Sequence, residues 1–191
     1  EGWSALMLAA EHGRHEAVAL LLARGAAVNL AVPRGDYRGW TALMRAAYFG
    51  HVDVVRVLLE KGASVNLANE YGGTALMHAA VEGHPAVVRL LLNSGALIDG
   101  EDANGLTAMM LAAIAGKDDT VRLLLEKGAA VDHKAHGIAG GGTALMLAAH
   151  EGRTSVVHLL LDYGADPALK NDYGLDAPAI ANRAGHLAIL R

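Results

Sequence analysis

Apolar residues along this chain come in pairs of short blocks separated by polar, glycine-containing stretches. A block rich in Ala, Leu and Met, such as ALMRAA from Ala42, predicts a helix of seven or eight residues. A second block follows a few residues later. In Val52 to Glu60, for example, Val54, Val55, Leu58 and Leu59 fall at helical spacing and predict a second helix. Between each second helix and the next first helix lie about a dozen residues such as GASVNLANEYGG, whose Gly and Asn content predicts a hairpin-like finger.

The pairs recur with a fixed period. GWSALMLAA from Gly2, GWTALMRAA from Gly39, GGTALMHAA from Gly72, GLTAMMLAA from Gly105, GGTALMLAA from Gly141 and a degenerate GLDAPAIAN from Gly174 are versions of one segment. Measured between Ser4, Thr41, Thr74, Thr107, Thr143 and Asp176, the spacings are 37, 33, 33, 36 and 33. The unit is therefore 33 residues, lengthened by four in the finger at 29–41 and by three in the finger at 132–143. Seventeen of the 23 glycines keep the same register, two before, nine after or 21 after these anchors. They predict a turn, a first helix end and a second helix end in each unit. Each anchor is Ser, Thr or Asp, types that cap helix N-termini.

A 33-residue unit of a turn and two helices, with a T-P-L-H-x-A signature, is that of the ankyrin repeat. The chain resembles this family over essentially its whole length, in GHVDVVRVLLEKGASVN, GHPAVVRLLLNSGALID and DYGADPALKNDYG as well as at the anchors. One departure is systematic: Thr41, Thr74 and Thr143 open TALM, with Ala for the family's Pro and Met for its His. Ala is a good helix former without the preset φ, and Met packs where the His would bond, so these units are expected to rely on dispersion. The resemblance implies an all-α solenoid of stacked helix-turn-helix units with finger hairpins. Residues 1–191 are expected to form a single domain of five full repeats and a partial sixth. Because Arg191 falls five residues into that sixth second helix, the chain is expected to be a piece of something longer.

Composition narrows the function classes. With 53% apolar residues a compact body is expected, and 16 basic against 20 acidic residues offer no general field for a nucleic acid duplex or an anionic membrane. The absence of cysteine excludes disulfides, thiolate metal sites and cysteine nucleophiles. The longest apolar run, Ala17 to Ala23, is too short to span a bilayer. An intracellular monomer, cytoplasmic or nuclear, is the expectation.

No motif of a phosphate loop, nucleophile elbow, dinucleotide fold or zinc protease occurs, so neither catalysis nor a cofactor is expected. Gly140-Gly141-Gly142-Thr143 lacks the phosphate-loop lysine and reads as finger; Arg34-Gly35-Asp36 reads as a basic turn. His51, His84 and His186 follow in-register helix-end glycines and read as structural. His133, His136 and His150 surround the longer finger at 132–143, but no carboxylate stands near them at ligand spacing. No metal site is expected there.

The resemblance implies a concave ligand face built from finger tips and first helices. The corresponding positions are Trp3, Glu11 and His12 in the first unit, Tyr37, Arg38, Trp40, Arg45, Tyr48 and Phe49 in the second, and Glu70, Tyr71, His78 and Glu82 in the third. Arg34 stands in the lengthened finger beside them. Six of the eight aromatic residues lie in this set, and aromatic and Arg side chains dominate binding hot spots. The expected function is a non-catalytic protein–protein interaction module. The alternative is a sensor that stacks a nucleobase and holds phosphate with Arg34, Arg38 or Arg45. GWT at Trp40, LAAIAG from Leu111 and the lengthened finger look like the ankyrin half of the oligoadenylate-activated ribonuclease. Leu106, Leu111 and Ala115 depart from that family's second adenine site.

Overall fold

The computed structural model describes residues 2–137 and 140–186. Eleven α-helices lie among the described residues, and the only β pairing there is two isolated bridges, Ala68 with Thr74 and Glu101 with Thr107. Two compact units are distinguished, Glu1–Leu97 and Ile98–Arg191. The first holds α1 (Ala5–Glu11), α2 (His15–Ala23), α3 (Ala42–Tyr48), α4 (Val52–Glu60), α5 (Ala75–Glu82) and α6 (Pro85–Asn93). The second holds α7 (Ala108–Ala115), α8 (Asp118–Glu126), α9 (Ala144–His150), α10 (Thr154–Asp162) and α11 (Ala177–Ala184). The expected sixth second helix would fall at 187–191, outside the described residues. None of the described helices is long and apolar enough to cross a membrane.

Within each unit the odd-numbered first helices lie side by side, as do the second helices, and α1, α3, α5, α7 and α9 each pack on the second helix that follows. The anchors start the first helices as their chemistry requires. Ser4, Thr41, Thr74, Thr107 and Thr143 hydroxyls accept from the backbone N–H three residues on, and the Asp176 carboxylate does the same. The N–H in the first five cases belongs to the methionine of the signature. All six methionines are buried, at 3% exposure or less, so the exchange of the family's His for Met does place dispersion in the core. All seventeen in-register glycines have positive φ, in line with the turn and helix ends read from their spacing.

The fingers show where the period breaks. In the regular ones Asn69, Asp102 and Asn171 pair their backbone with the residue just before the anchor, while one side-chain oxygen accepts two further N–H groups of the turn. The same backbone pairing recurs in the long fingers, but at Val32 with Trp40 and at Ala135 with Gly142. The four and three extra residues are therefore inside the turn. Val32 and Ala135 lack the bracing carboxamide or carboxylate and are instead buried, each at 2% exposure. Apolar burial replaces polar bracing.

Two substitutions separate core from cap. Leu58→Ala, at a fully buried position of α4, is expected to cost about 2–5 kcal/mol, and Thr107→Ala about 1 kcal/mol. Chemical denaturation followed by circular dichroism gives both values.

Candidate functional site

The aromatic positions singled out in the sequence converge in the first unit, around one arginine. Arg45 leaves α3 near its middle and is 9% exposed. Its Nη2 lies 2.6 Å from Glu11 Oε2 at the end of α1. The guanidinium carbon is 4.4 Å from the Trp3 ring centre, 5.3 Å from Tyr37, 5.2 Å from Phe49 and 5.5 Å from Trp40. A guanidinium is weakly hydrated and attracted to ring faces, which is why it tolerates this enclosure.

The rings also hold one another. Trp3 meets Tyr37 edge-on at 5.2 Å, Tyr37 meets Trp40 at 5.7 Å, Trp40 meets Tyr48 at 5.9 Å, and Tyr48 meets Phe49 at 5.1 Å. Trp40 is buried and stacks on His78 at 4.1 Å. Burial, and then the Arg45 charge, push the His78 imidazole down to about 4, so it stays neutral at physiological pH. The negative charge of Glu82, and then burial, raise the Tyr48 hydroxyl, which remains a protonated donor.

Glu11 and Glu70 serve as partners of the arginines, and the other twelve residues expected to face a ligand are of two kinds. Trp40, Arg45 and His78 are engaged within the cluster, with Trp3, Tyr48 and Glu82 half-buried around them. Tyr37, Phe49 and Tyr71 are exposed, at 45%, 41% and 55%. Arg34, Arg38 and His12 are exposed too. Arg38 sits 3.4 Å from Glu70 in a solvated pair of little energetic weight, and the His12 ring bonds the Leu8 carbonyl of its own helix. Tyr71 stands at the tip of the next finger, outside the ring network. The lengthened finger adds an open cleft of about 480 Å³ lined by Trp3, Val32, Arg34, Gly35, Asp36 and Tyr37.

The sequence places Glu11 on this face by position but does not pair it with Arg45. The signal was available: position seven after one anchor faces position four after the next, as Glu11 does Arg45 and Tyr48 does His78. The helix-end histidines behave as expected. His51 Nε2 bonds the Glu11 carbonyl at 2.8 Å and His84 Nε2 the Tyr48 carbonyl at 2.9 Å, each ring lying on the glycine that ends the preceding first helix.

The reading of the loop histidines needs correction. A carboxylate does lie within reach: Glu101 Oε1 is 2.6 Å from His133 Nε2 and 2.8 Å from His136 Nδ1, brought there from the preceding finger. His150 stays apart and pairs with Glu151 at 2.9 Å.

The family profile described as Ankyrin repeats (3 copies) matches residues 1–69, 28–102, 62–135 and 77–172. The chain belongs to the ankyrin repeat family, whose members are generally protein–protein interaction modules and typically non-catalytic. A comparison with curated proteins returns no match.

Arg45→Ala removes the partner of Glu11 and the centre of the ring cluster, and is expected to cost about 1–3 kcal/mol in a urea titration. Acid should act through His78. The unfolded chain protonates this group near pH 6.5 and the folded chain only near 4, so its contribution is complete above 6.5 and is lost progressively as pH falls toward 4. Between pH 7.5 and 4.5 the wild type is expected to lose about 1–3 kcal/mol more stability than His78→Gln.

Proposed function

We propose that the first unit binds a protein partner across its fingers and first helices, with Tyr37, Phe49 and Tyr71 as anchors and Trp3, Tyr48, Arg34, Arg38, His12 and Glu82 around them. One observation carries the reading: exposed aromatic edges stand on a buried Arg45, paired with the half-buried Glu11, that holds most of their rings in place. Pre-positioned rings bury large area at little rotamer cost, so binding energy is not spent on ordering them. In this reading Trp40, Arg45 and His78 act by positioning, and the exposed arginines supply polar contacts at the rim.

A nucleotide is the second reading, favoured by the cleft of about 480 Å³ in which Trp3 and Tyr37 offer ring surface beside Arg34. Arg45 is committed to Glu11 and Arg38 stands by Glu70 outside the cleft lining, which leaves phosphate to Arg34 with Asp36 as an opposing charge in the same lining.

Binding is tested with the partner captured by the wild-type chain. Phe49→Ala and Tyr71→Ala are each expected to weaken it by about 1–4 kcal/mol in calorimetry while the urea midpoint hardly moves. His150→Ala and Glu151→Ala should leave affinity unchanged. The reading fails if the aromatic variants lose as much stability as Leu58→Ala, or bind normally. Nucleotide recovered from the purified chain by mass spectrometry, and lost in Trp3→Ala, would favour the second reading.

A further inference from the structure

The chemistry outside the aromatic cluster is concentrated where Glu101 meets the long finger. Glu101 belongs to the finger before α7, its backbone fixed by the bridge to Thr107. His133 and His136 flank Ala135, which is buried and paired through its backbone with Gly141 and Gly142. The next finger turn is seated closely: a Cβ on Gly105 would run into the His136 carbonyl. Both imidazoles are thus tethered at a firm point of the loop.

One oxygen, Glu101 Oε1, takes both imidazole contacts, and the three candidate ligand atoms lie within 4.8 Å of one another. Hydrogen bonds from the two rings hold the Glu101 carboxyl below its ordinary range, so the carboxylate is ionised at neutral pH. The nearest lysine is turned elsewhere, since Lys134 Nζ donates to the Lys170 carbonyl. The His133 and Glu101 side chains are 23% and 26% exposed, whereas His136 is 78% exposed and leaves one side open.

We propose that Glu101, His133 and His136 form a surface binding site for one divalent transition-metal ion, with zinc as the representative occupant. Two neutral imidazoles and a carboxylate are a borderline donor set that suits zinc and excludes a calcium-type cage of oxygens. Tetrahedral zinc holds such donors about 3.3 Å apart, given bond lengths of about 2.0–2.2 Å. The contacts to Glu101 Oε1 need to open by about 0.7 Å at His133 and about 0.5 Å at the exposed His136, shifts on the scale of small side-chain rotations. The ion replaces any protons shared between the rings and the carboxylate, and water fills the remaining position. Its physical effect is to clamp the long finger to its neighbour, a closure made where the regular Asx brace is missing.

The tag-free full chain, treated with EDTA and desalted, is titrated with zinc chloride by calorimetry and with cobalt chloride by visible absorption. One equivalent of each is expected, with cobalt giving the intense bands of a low-coordinate site and zinc raising the melting temperature. Glu101→Gln, His133→Ala and His136→Ala should each weaken zinc by more than about tenfold, the loss produced even by removing an outer partner of a ligand. His150→Ala should bind as the wild type does. His136 is exposed, so His136→Ala keeps the test independent of folding, which circular dichroism checks. No stoichiometric zinc binding, or binding unaffected by the three substitutions, would overturn the proposal; the trio would then be a hydrogen-bonded finger contact.

Discussion

Neighbouring first helices in each unit lie side by side, and they bury a recurring set of alanines. Ala10, Ala46, Ala47, Ala79 and Ala80 in the first unit, and Ala112, Ala113, Ala148 and Ala181 in the second, are completely buried. Methyl groups let backbones approach and leave no long side chain to order. A bulkier residue at an alanine position would overpack this fully buried layer, which has no free space to accept it.

The polar contacts between repeats depend on that close approach. Asn29, Asn66, Asp99 and Asp132 occupy the same place in successive repeats, and each accepts from a backbone N–H of the next one, at Ser64, Leu97, Ala130 and Asp166. The histidines at 51 and 84 reach back to the carbonyl at the end of the preceding first helix, with Arg153 doing the same toward Ile114. The rings rest on Gly13 and Gly50, where a Cβ would come within 2.7 and 2.6 Å of them, and both glycines also have positive φ. Glycine there meets a conformational and a steric demand at once. These bonds cap helix C-termini, whose last carbonyls otherwise lack partners.

Because every such contact repeats, the fold was highly legible. The spacing of Ser4, Thr41, Thr74, Thr107, Thr143 and Asp176 located six first helices, and the glycines located their ends. The site was legible to a lesser depth. Equivalent offsets brought Trp3, Tyr37, Trp40, Tyr48 and Phe49 together, but offsets do not say which side chain another will cover. Trp40 is buried because His78 of the next repeat stacks on it, and Arg45 because Glu11 of the previous repeat neutralises it. Both facts lie one repeat away in sequence. Glu101 is hidden for the same reason, since ligand spacing within a finger cannot reveal a carboxylate 32 residues before His133.

The two lengthened fingers carry the unusual chemistry, and their construction explains why they can. In a regular finger, the Asx side chain and the tight turn use up the polar groups, leaving little to present. With Val32 or Ala135 at the brace position, burial anchors the base of the finger and frees the inserted turn from satisfying it. One turn then offers Arg34 and Tyr37 beside Trp3, and the other sets His133 and His136 on either side of their buried anchor. The framework stays constant because each repeat must fit two neighbours. Variation is tolerated at the finger tips, where an added residue meets solvent before it meets another helix.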